Sequence, residues 1–274
     1  MMVITKLQGG LGNQIFQWAA GKSLSLDFKI PCYFDDEFYF KNSSDTKRTL
    51  DITKMPNVDE LSMVGVVGTK HFFLIKDNFH HDSFLNKIRF VQNSNKTGNI
   101  FLDGYWQSEK YFLKNKNQIL QELQPDILIN QKINDSYSFF EQEKTISLHI
   151  RRTDYLTSGG FHPAMPKEYY DQAIETCNAQ NYDVKKVVFS DDIKWCKENL
   201  KYENVIYIEG NSNVMDLYIM SKCNDNVIAN SSFSWWGAYL NSNQNKKVIA
   251  PKIWFGSHTN MNTNDIIPNE WEKI

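Results

Sequence analysis

Thr145-Ile146-Ser147-Leu148-His149-Ile150-Arg151-Arg152-Thr153-Asp154 is an alternating apolar run that stops at two arginines and an acid. Ile146, Leu148 and Ile150 predict a strand, so both guanidinium groups stand where the strand gives way to a loop. Adjacent side chains on a strand point to opposite faces. Arg151 and Arg152 therefore have different tasks, one toward a ligand and one toward the protein. For the latter a structural ion pair is expected, between Arg152 and Asp154 or a neighbour. An arginine fork at the carboxyl end of a strand suits bidentate capture of phosphate. In an open α/β sheet that same edge is where ligands bind.

Downstream the pattern repeats. Strands are expected over 145–150, 186–190, 204–208, 226–229 and 247–250, and helices over 167–178, 193–200, 214–223 and 234–240. Short strand-to-helix steps are the mark of parallel βαβ units, hence of a doubly wound sheet. Upstream, 3–7 reads as a strand, Gly9-Gly10-Leu11-Gly12 as a loop, 13–26 as a helix and 30–34 as a second strand. A further strand is expected over 100–102, with Ser108 as N-cap of a following helix. Between 35 and 99 the chain is polar and poorly periodic, with Asn-Ser-Ser-Asp at 42–45 and His71-Phe72-Phe73, and reads as irregular loops with short elements. Polar residues over 130–143 mark a boundary, giving domains 1–135 and 136–274.

The 274 residues suffice for one large domain or two small ones, and the net charge of −2 comes from intermixed acids and bases. No basic stripe is visible, so nucleic acid is not an expected partner. No apolar run is long enough to span a bilayer, and the start lacks a charged leader with an apolar stretch, so a cytoplasmic protein is expected, bacterial rather than Golgi-resident. Peripheral membrane association stays open. Cys32, Cys177, Cys196 and Cys223 have no metal-ligand spacing, and Cys177 and Cys196 are expected as buried thiols.

Four motifs occur in order: Gly9-Gly10-Leu11-Gly12-Asn13-Gln14, Gly104 to Phe112, His149 to Asp154, and Asn230-Ser231-Ser232-Phe233-Ser234-Trp235-Trp236-Gly237. Together the chain resembles the bacterial α-1,2-fucosyltransferases, inverting glycosyltransferases that use GDP-L-fucose. The resemblance implies an α/β, GT-B-like fold of two Rossmann-like halves whose parallel sheets face across a cleft. The first half would serve the acceptor, and the second would hold GDP-fucose. It implies no metal and no cofactor, with a galactose-terminated oligosaccharide as the acceptor and its 2-hydroxyl as the attacking group. A fucosyltransferase of another linkage and a non-catalytic glycan-binding module are the alternatives.

The residues agree with that chemistry. Departure of a nucleoside diphosphate leaves negative charge that something positive or hydrogen-bonding must hold. The resemblance places Arg151 on the β-phosphate, with His149 one strand step back on the same side and Arg152 counted on the donor side. Asp192 reads as an N-cap and Asp191 as near the nucleotide, a paired metal site being the alternative. Asp216 reads by default as a helix-capping carboxylate. Similarity to the α-1,6-fucosyltransferases instead makes it the acceptor of both guanine N–H groups. Ser231, Ser232 and Phe233 stand at a strand-to-helix turn whose amides are ready for an anion, while Trp235 and Trp236 read as core. Gly10 and Gly12 permit a tight turn and close ligand approach. Asn13 and Gln14 follow at a helix start, where resemblance to protein O-fucosyltransferases turns Asn13 toward fucose and diphosphate. Trp106 is expected on the acceptor side. For the catalytic base Asp154 comes first and His162 second, a dissociative route without a base being third.

Overall fold

A computed structural model describes residues 1–40, 48–58, 63–64, 72–93, 98–179 and 183–274. The described residues fall into two compact units, Met1–Gln124 with Asn262–Pro268, and Pro125–Met261 with Asn269–Ile274.

The first unit opens with β1 (Val3–Lys6), α1 (Leu11–Phe28) and β2 (Cys32–Asp35). It continues through β3 (Met63–Val64), β4 (Phe72–Lys76), α2 (His81–Asn93), β5 (Asn99–Asp103) and α3 (Lys116–Glu122). All its strand pairs are parallel, in the order β3-β2-β1-β5-β4. β1 is central, so Val3 and Ile4 are buried with α1 residues Ile15, Phe16 and Ala19 behind them. The expectation of an irregular segment over 35–99 is corrected by β4 and α2. In α2 the buried residues Phe84, Ile88 and Val91 follow helical spacing, a signal that the surrounding polar residues dilute. The 42–45 stretch and His71 lie outside the described residues. After Ser108 the chain forms a 3₁₀ turn, Glu109–Tyr111, rather than an α-helix; Ser108 caps it, its Oγ accepting from Lys110 N at 3.2 Å.

The second unit comprises α4 (Ile127–Ser136), β6 (Lys144–Ile150), α5 (Thr153–Thr157), α6 (Lys167–Thr176), β7 (Val184–Ser190) and α7 (Ile193–Asn199). It continues with β8 (Val205–Tyr207), α8 (Asn213–Lys222), β9 (Asp225–Val227), α9 (Ser232–Tyr239), β10 (Val248–Ala250) and β11 (Glu272–Lys273). The parallel sheet runs β11-β10-β9-β6-β7-β8. From β6 the chain winds outward through β7 and β8, then crosses back to β9 and winds the other way. This is the strand order of a dinucleotide-binding sheet, and its crevice opens at the carboxyl ends of β6 and β9.

The units part at Gln124/Pro125, ahead of the 135/136 boundary read from composition. The polar stretch there is α4, whose Ile133 is fully buried. Asp126, the N-cap of α4, lies within electrostatic reach of Tyr218 on α8, and Tyr137 Oη accepts from Asn211 Nδ2 at 3.0 Å. These contacts tie α4 to the second unit.

β6 is buried on both faces. Ile146, Leu148 and Ile150 pack with Tyr170, Ala173 and Ile174 of α6. On the other face Ser147 Oγ accepts from Asn226 Nδ2 at 2.7 Å, and Asn226 Oδ1 accepts from Asn241 Nδ2 at 2.8 Å. Trp235 and Trp236 are fully buried in α9, as the sequence predicts. Gly237 lets α9 lie against α8, where an added Cβ would sit 2.9 Å from Met220 Cγ and 3.2 Å from its Cβ. Gly237→Ala should therefore overpack this contact and cost about 1–3 kcal/mol, read as a lowered urea midpoint with an unchanged slope.

Candidate active site

The carboxyl ends of β6, β7 and β9 bring most of the second unit's expected residues together. Arg151 leaves β6 at the crevice. Its guanidinium pairs with Asp154 at 2.7 Å and with Asp191 at 3.1 Å, and it lies 5.6 Å from the Tyr155 ring centroid. Burial disfavours its charge, but Asp191 and Asp154 outweigh that and hold the guanidinium even more firmly protonated than usual. His149, one strand step back, is buried, with its ring centroid 5.5 Å from that of Phe233. Burial, helped by the Arg151 charge, drops its pKa to about 3. The ring is thus a neutral imidazole, and its Nδ1 has no hydrogen-bond partner among the described residues.

Asp191 sits at the end of β7 and shapes this corner. It accepts from Arg152 N at 2.9 Å and from Thr153 N at 3.1 Å, and its Oδ2 also accepts from the Thr153 hydroxyl. It therefore caps α5 from the neighbouring strand. Asp191 is expected near the nucleotide; the structure gives its oxygens to Arg151 and the α5 amides. Asp192 caps α7, accepting from Trp195 N at 3.1 Å, as expected.

One arginine does face the protein in an ion pair with a neighbouring acid, as the alternation predicts, while the count of Arg152 on the donor side is corrected. Arg152 turns away from the crevice, stacking over Trp195 at 3.8 Å and pairing with Asp192 at 3.4 Å, so it is spent on the protein rather than on a donor. Asp154 pairs with Arg151, not with Arg152, across the start of α5. Asp154 thus stands in this corner as the ion-pair partner of Arg151.

The loop after β9 completes the cluster. Ser231 caps α9, its Oγ accepting from Phe233 N at 3.3 Å, and Ser234 Oγ donates back to Ser231 O at 3.3 Å. Ser232 and Phe233 are half-buried at the helix start. Tyr155, which the sequence reading missed, donates to Asn230 O at 2.9 Å and so ties α5 to the β9 loop. Its place on the turn after Arg151 was the available signal. Among the described residues no three His, Cys, Asp or Glu side chains are grouped to hold a metal ion.

Asp216 stands in the first turn of α8, after β8, on the same edge of the sheet but outside this cluster of contacts. It accepts from Asn211 Nδ2 at 3.1 Å, and Ser212 rather than Asp216 is the N-cap. Burial raises its pKa to about 6, opposed by the Asn211 bond.

In the first unit the two loops beside β1 and β5, again a point where strand order reverses, are laced together. Gln17 accepts from Gln8 N at 2.9 Å and donates to Gly104 O at 3.2 Å. Asn13 Oδ1 accepts from Gln107 Nε2 at 2.8 Å. Gly10 is the N-cap of α1 and Gly12 is buried in its first turn. Gln14 is corrected as a donor contact. It is fully buried, donates to Gly9 O and Thr49 O, and accepts from Asp51 N and Ile52 N, so its amide has no capacity left for a ligand. Trp106 is corrected as an acceptor-side surface. It is 0 % exposed, packed against Phe84 and Tyr111, and its backbone N–H donates to Asp77 Oδ2 at 2.8 Å. The exposed aromatic of that motif is Tyr105, within electrostatic reach of Arg48, whose Nη1 lies 3.9 Å from where a Gly10 Cβ would be.

Two parallel-sheet units, each with its own strand-order switch, define a GT-B-like fold, and the family whose model the chain matches makes it a glycosyltransferase. The chain belongs to Glycosyl transferase family 11, whose model matches residues 70–274. It is 31% identical to an alpha-1,2-colitosyltransferase of Escherichia coli, over 100% of this chain and 99% of that protein. It is 32% identical to the O-antigen biosynthesis glycosyltransferase WbnK of Escherichia coli, over 92% of this chain and 94% of the relative. In fold it matches fucosyltransferase NodZ from Bradyrhizobium with a TM-score of 0.55 at 13% identity, over 86% of this chain and 91% of that one. A NodZ alpha-1,6-fucosyltransferase structure soaked with GDP-fucose matches with a TM-score of 0.56 at 13% identity, over 87% and 92% of the two chains.

Asp216 generates a stability prediction. Its folded pKa lies above the unfolded value, so the native state binds the proton more tightly and stability falls as pH rises between the two. Asp216→Asn keeps the Asn211 bond and removes the buried charge. It should be more stable than the parent by about 1–3 kcal/mol at about pH 7, with the difference vanishing below about pH 4. Urea unfolding at the two pH values measures this.

Proposed function

We propose that this family 11 glycosyltransferase moves L-fucose from GDP-β-L-fucose to the 2-hydroxyl of a terminal galactose, with inversion and without a metal. The observation that carries the reading is Arg151, charged and held by Asp154 and Asp191 where β6 ends beside the α9 amino terminus. In inverting transfer the bond from the anomeric carbon to the β-phosphate breaks, and its electron pair leaves with GDP. Arg151 meets that developing charge, together with the amides that open α9. Asp154 and Asp191 orient the guanidinium, so little reorganisation is needed when the charge appears. Neutral His149 hydrogen-bonds the donor, Asp216 takes the guanine N–H groups, and Ser232 and Phe233 lie against the phosphates. Asn13, whose Oδ1 accepts from Gln107 Nε2, is assigned with the first unit to the acceptor side.

The alpha-1,2-colitosyltransferase relative favours a second donor. Colitose is the 3-deoxy form of L-fucose, so GDP-colitose would occupy the same phosphate and guanine contacts and differ at one hydroxyl.

The test is transfer to lactose in the presence of EDTA, with GDP-fucose and GDP-colitose in separate reactions. Fucosyllactose with an α-1,2 linkage is the expected product, and another linkage in the product overturns the 2-hydroxyl assignment. Exclusive use of GDP-colitose would move the reading to the second donor. Arg151→Ala should retain its fold, bind GDP at least tenfold more weakly and lower kcat/KM by about 10²-fold or more. Neither turnover nor GDP binding by the parent protein would remove the sugar-nucleotide reading.

A further inference from the structure

The segment after α5 is built more firmly than a surface loop needs. Gly159 and Gly160 both have positive φ, at 61° and 79°. Gly256 N donates to Phe161 O at 2.9 Å, and an added Gly256 Cβ would collide with Gly160 O. Asn230 Nδ2 donates to both Pro163 O and Trp254 O at 3.0 Å, pinning the two strips together from the β9 loop. What these contacts position is the His162 ring. It stacks on Tyr155 at 4.8 Å and 14°, takes Phe161 edge-on at 4.8 Å, and lies 5.2 Å from Phe255. Its Nδ1 is buried without a hydrogen-bond partner among the described residues. Tyr155 in turn lies against Arg151, so the imidazole is one ring removed from the guanidinium.

The other ionisable groups of this corner already have partners or are buried. Asp154 and Asp191 are held by Arg151, Asp192 caps α7, and His149 is buried and too weakly basic. Phe161, 40 % exposed beside the imidazole, offers a flat apolar face of the kind that receives one side of a pyranose ring.

We propose that His162 is the group that takes the proton from the acceptor hydroxyl, with Phe161 and Phe255 holding its ring beside the acceptor sugar. The inference rests on the glycosyl-transfer reading above. As the acceptor oxygen bonds to the anomeric carbon, the carbon–phosphate oxygen bond breaks and GDP leaves with the electron pair. The hydroxyl proton passes to an imidazole nitrogen, and the imidazolium returns it to solvent after release. The charged and titratable groups around the ring are Asp154, Arg151 and Tyr155 on the α5 side and His258 across the Gly160–Gly256 contact. Burial lowers the His162 pKa, with Arg151 acting the same way and Asp154 opposing. The ring is then neutral and able to accept a proton at neutral pH.

The experiment measures kcat against pH for the full chain and for His162→Gln, with saturating sugar nucleotide and acceptor, alongside GDP affinity. The parent should rise with pH to a plateau, its limb centred below the free-histidine value of about 6.5. His162→Gln should lose about 10²–10⁴-fold in kcat and lose the limb, while GDP affinity stays within twofold. Free imidazole should restore part of the turnover of His162→Ala. A glutamine variant within threefold of the parent, or a limb that survives the substitution, overturns the proposal. Should the variants not fold, a parent profile with no limb below that value overturns the proposal. A parent protein that makes no glycoside from either donor defeats the glycosyl-transfer reading itself, whereas an active parent with an active glutamine variant defeats the role of His162 alone.

Discussion

The carboxylate of Asp191 is the contact on which the active corner depends. One side chain at the end of β7 accepts the amides of Arg152 and Thr153, takes the Thr153 hydroxyl and pairs with Arg151. It therefore fixes how the chain leaves β6, starts α5, and neutralises part of the charge that α5 and Arg151 bring together. A charge taken partly out of water persists only where partners surround it. Here four groups do so, and they come from the residues that follow β6 rather than from β7.

That dependence passes through the sheet. β7 sits beside β6 over its whole length, Lys144 opposite Val184 through to Ile150 opposite Ser190, so Asp191 is delivered next to Arg151 by register. β9 flanks β6 on the other side, and the Ser147–Asn226–Asn241 chain fixes that pairing with buried hydrogen bonds. A slip of either neighbour by one residue would turn apolar side chains to the wrong face and break these bonds. The alignment of His149, Arg151 and Ser231 is in this sense a property of strand register.

Much of this was legible in the sequence for a physical reason. Buried strands separated by short helices leave a strong pattern, and the elements expected after 144 fall within a few residues of their bounds, whereas the short α5 and β11 were not expected. The pairing of His149 with Arg151 on one side follows from period-two alternation alone. What a sequence does not display is where a polar side chain spends its hydrogen bonds. Gln14 and Trp106 sit in motifs that look like ligand contacts, yet one holds residues 49–52 and the other fills the core. Asp191 reaches α5 across 38 residues of sequence, and which of two adjacent arginines Asp154 pairs with is set by how the chain enters α5. In 35–99 the apolar stripe of α2 was present but thin, three buried residues among thirteen.

The chain visits the first unit twice. After completing most of the second unit it returns with Asn262–Pro268, where Asp265 pairs with Lys110 at 2.6 Å and Asn262 donates to Phe79 O at 3.2 Å. During synthesis this has a temporal meaning. The first unit leaves the ribosome early, but its last contacts arrive only after residue 261 has been made. At about 5–20 residues per second, that interval is on the order of ten seconds. Through that time Lys110 and the Phe79 carbonyl are open to water or to a chaperone. Final closure of the earliest-made unit is thus a late event in the life of the nascent chain.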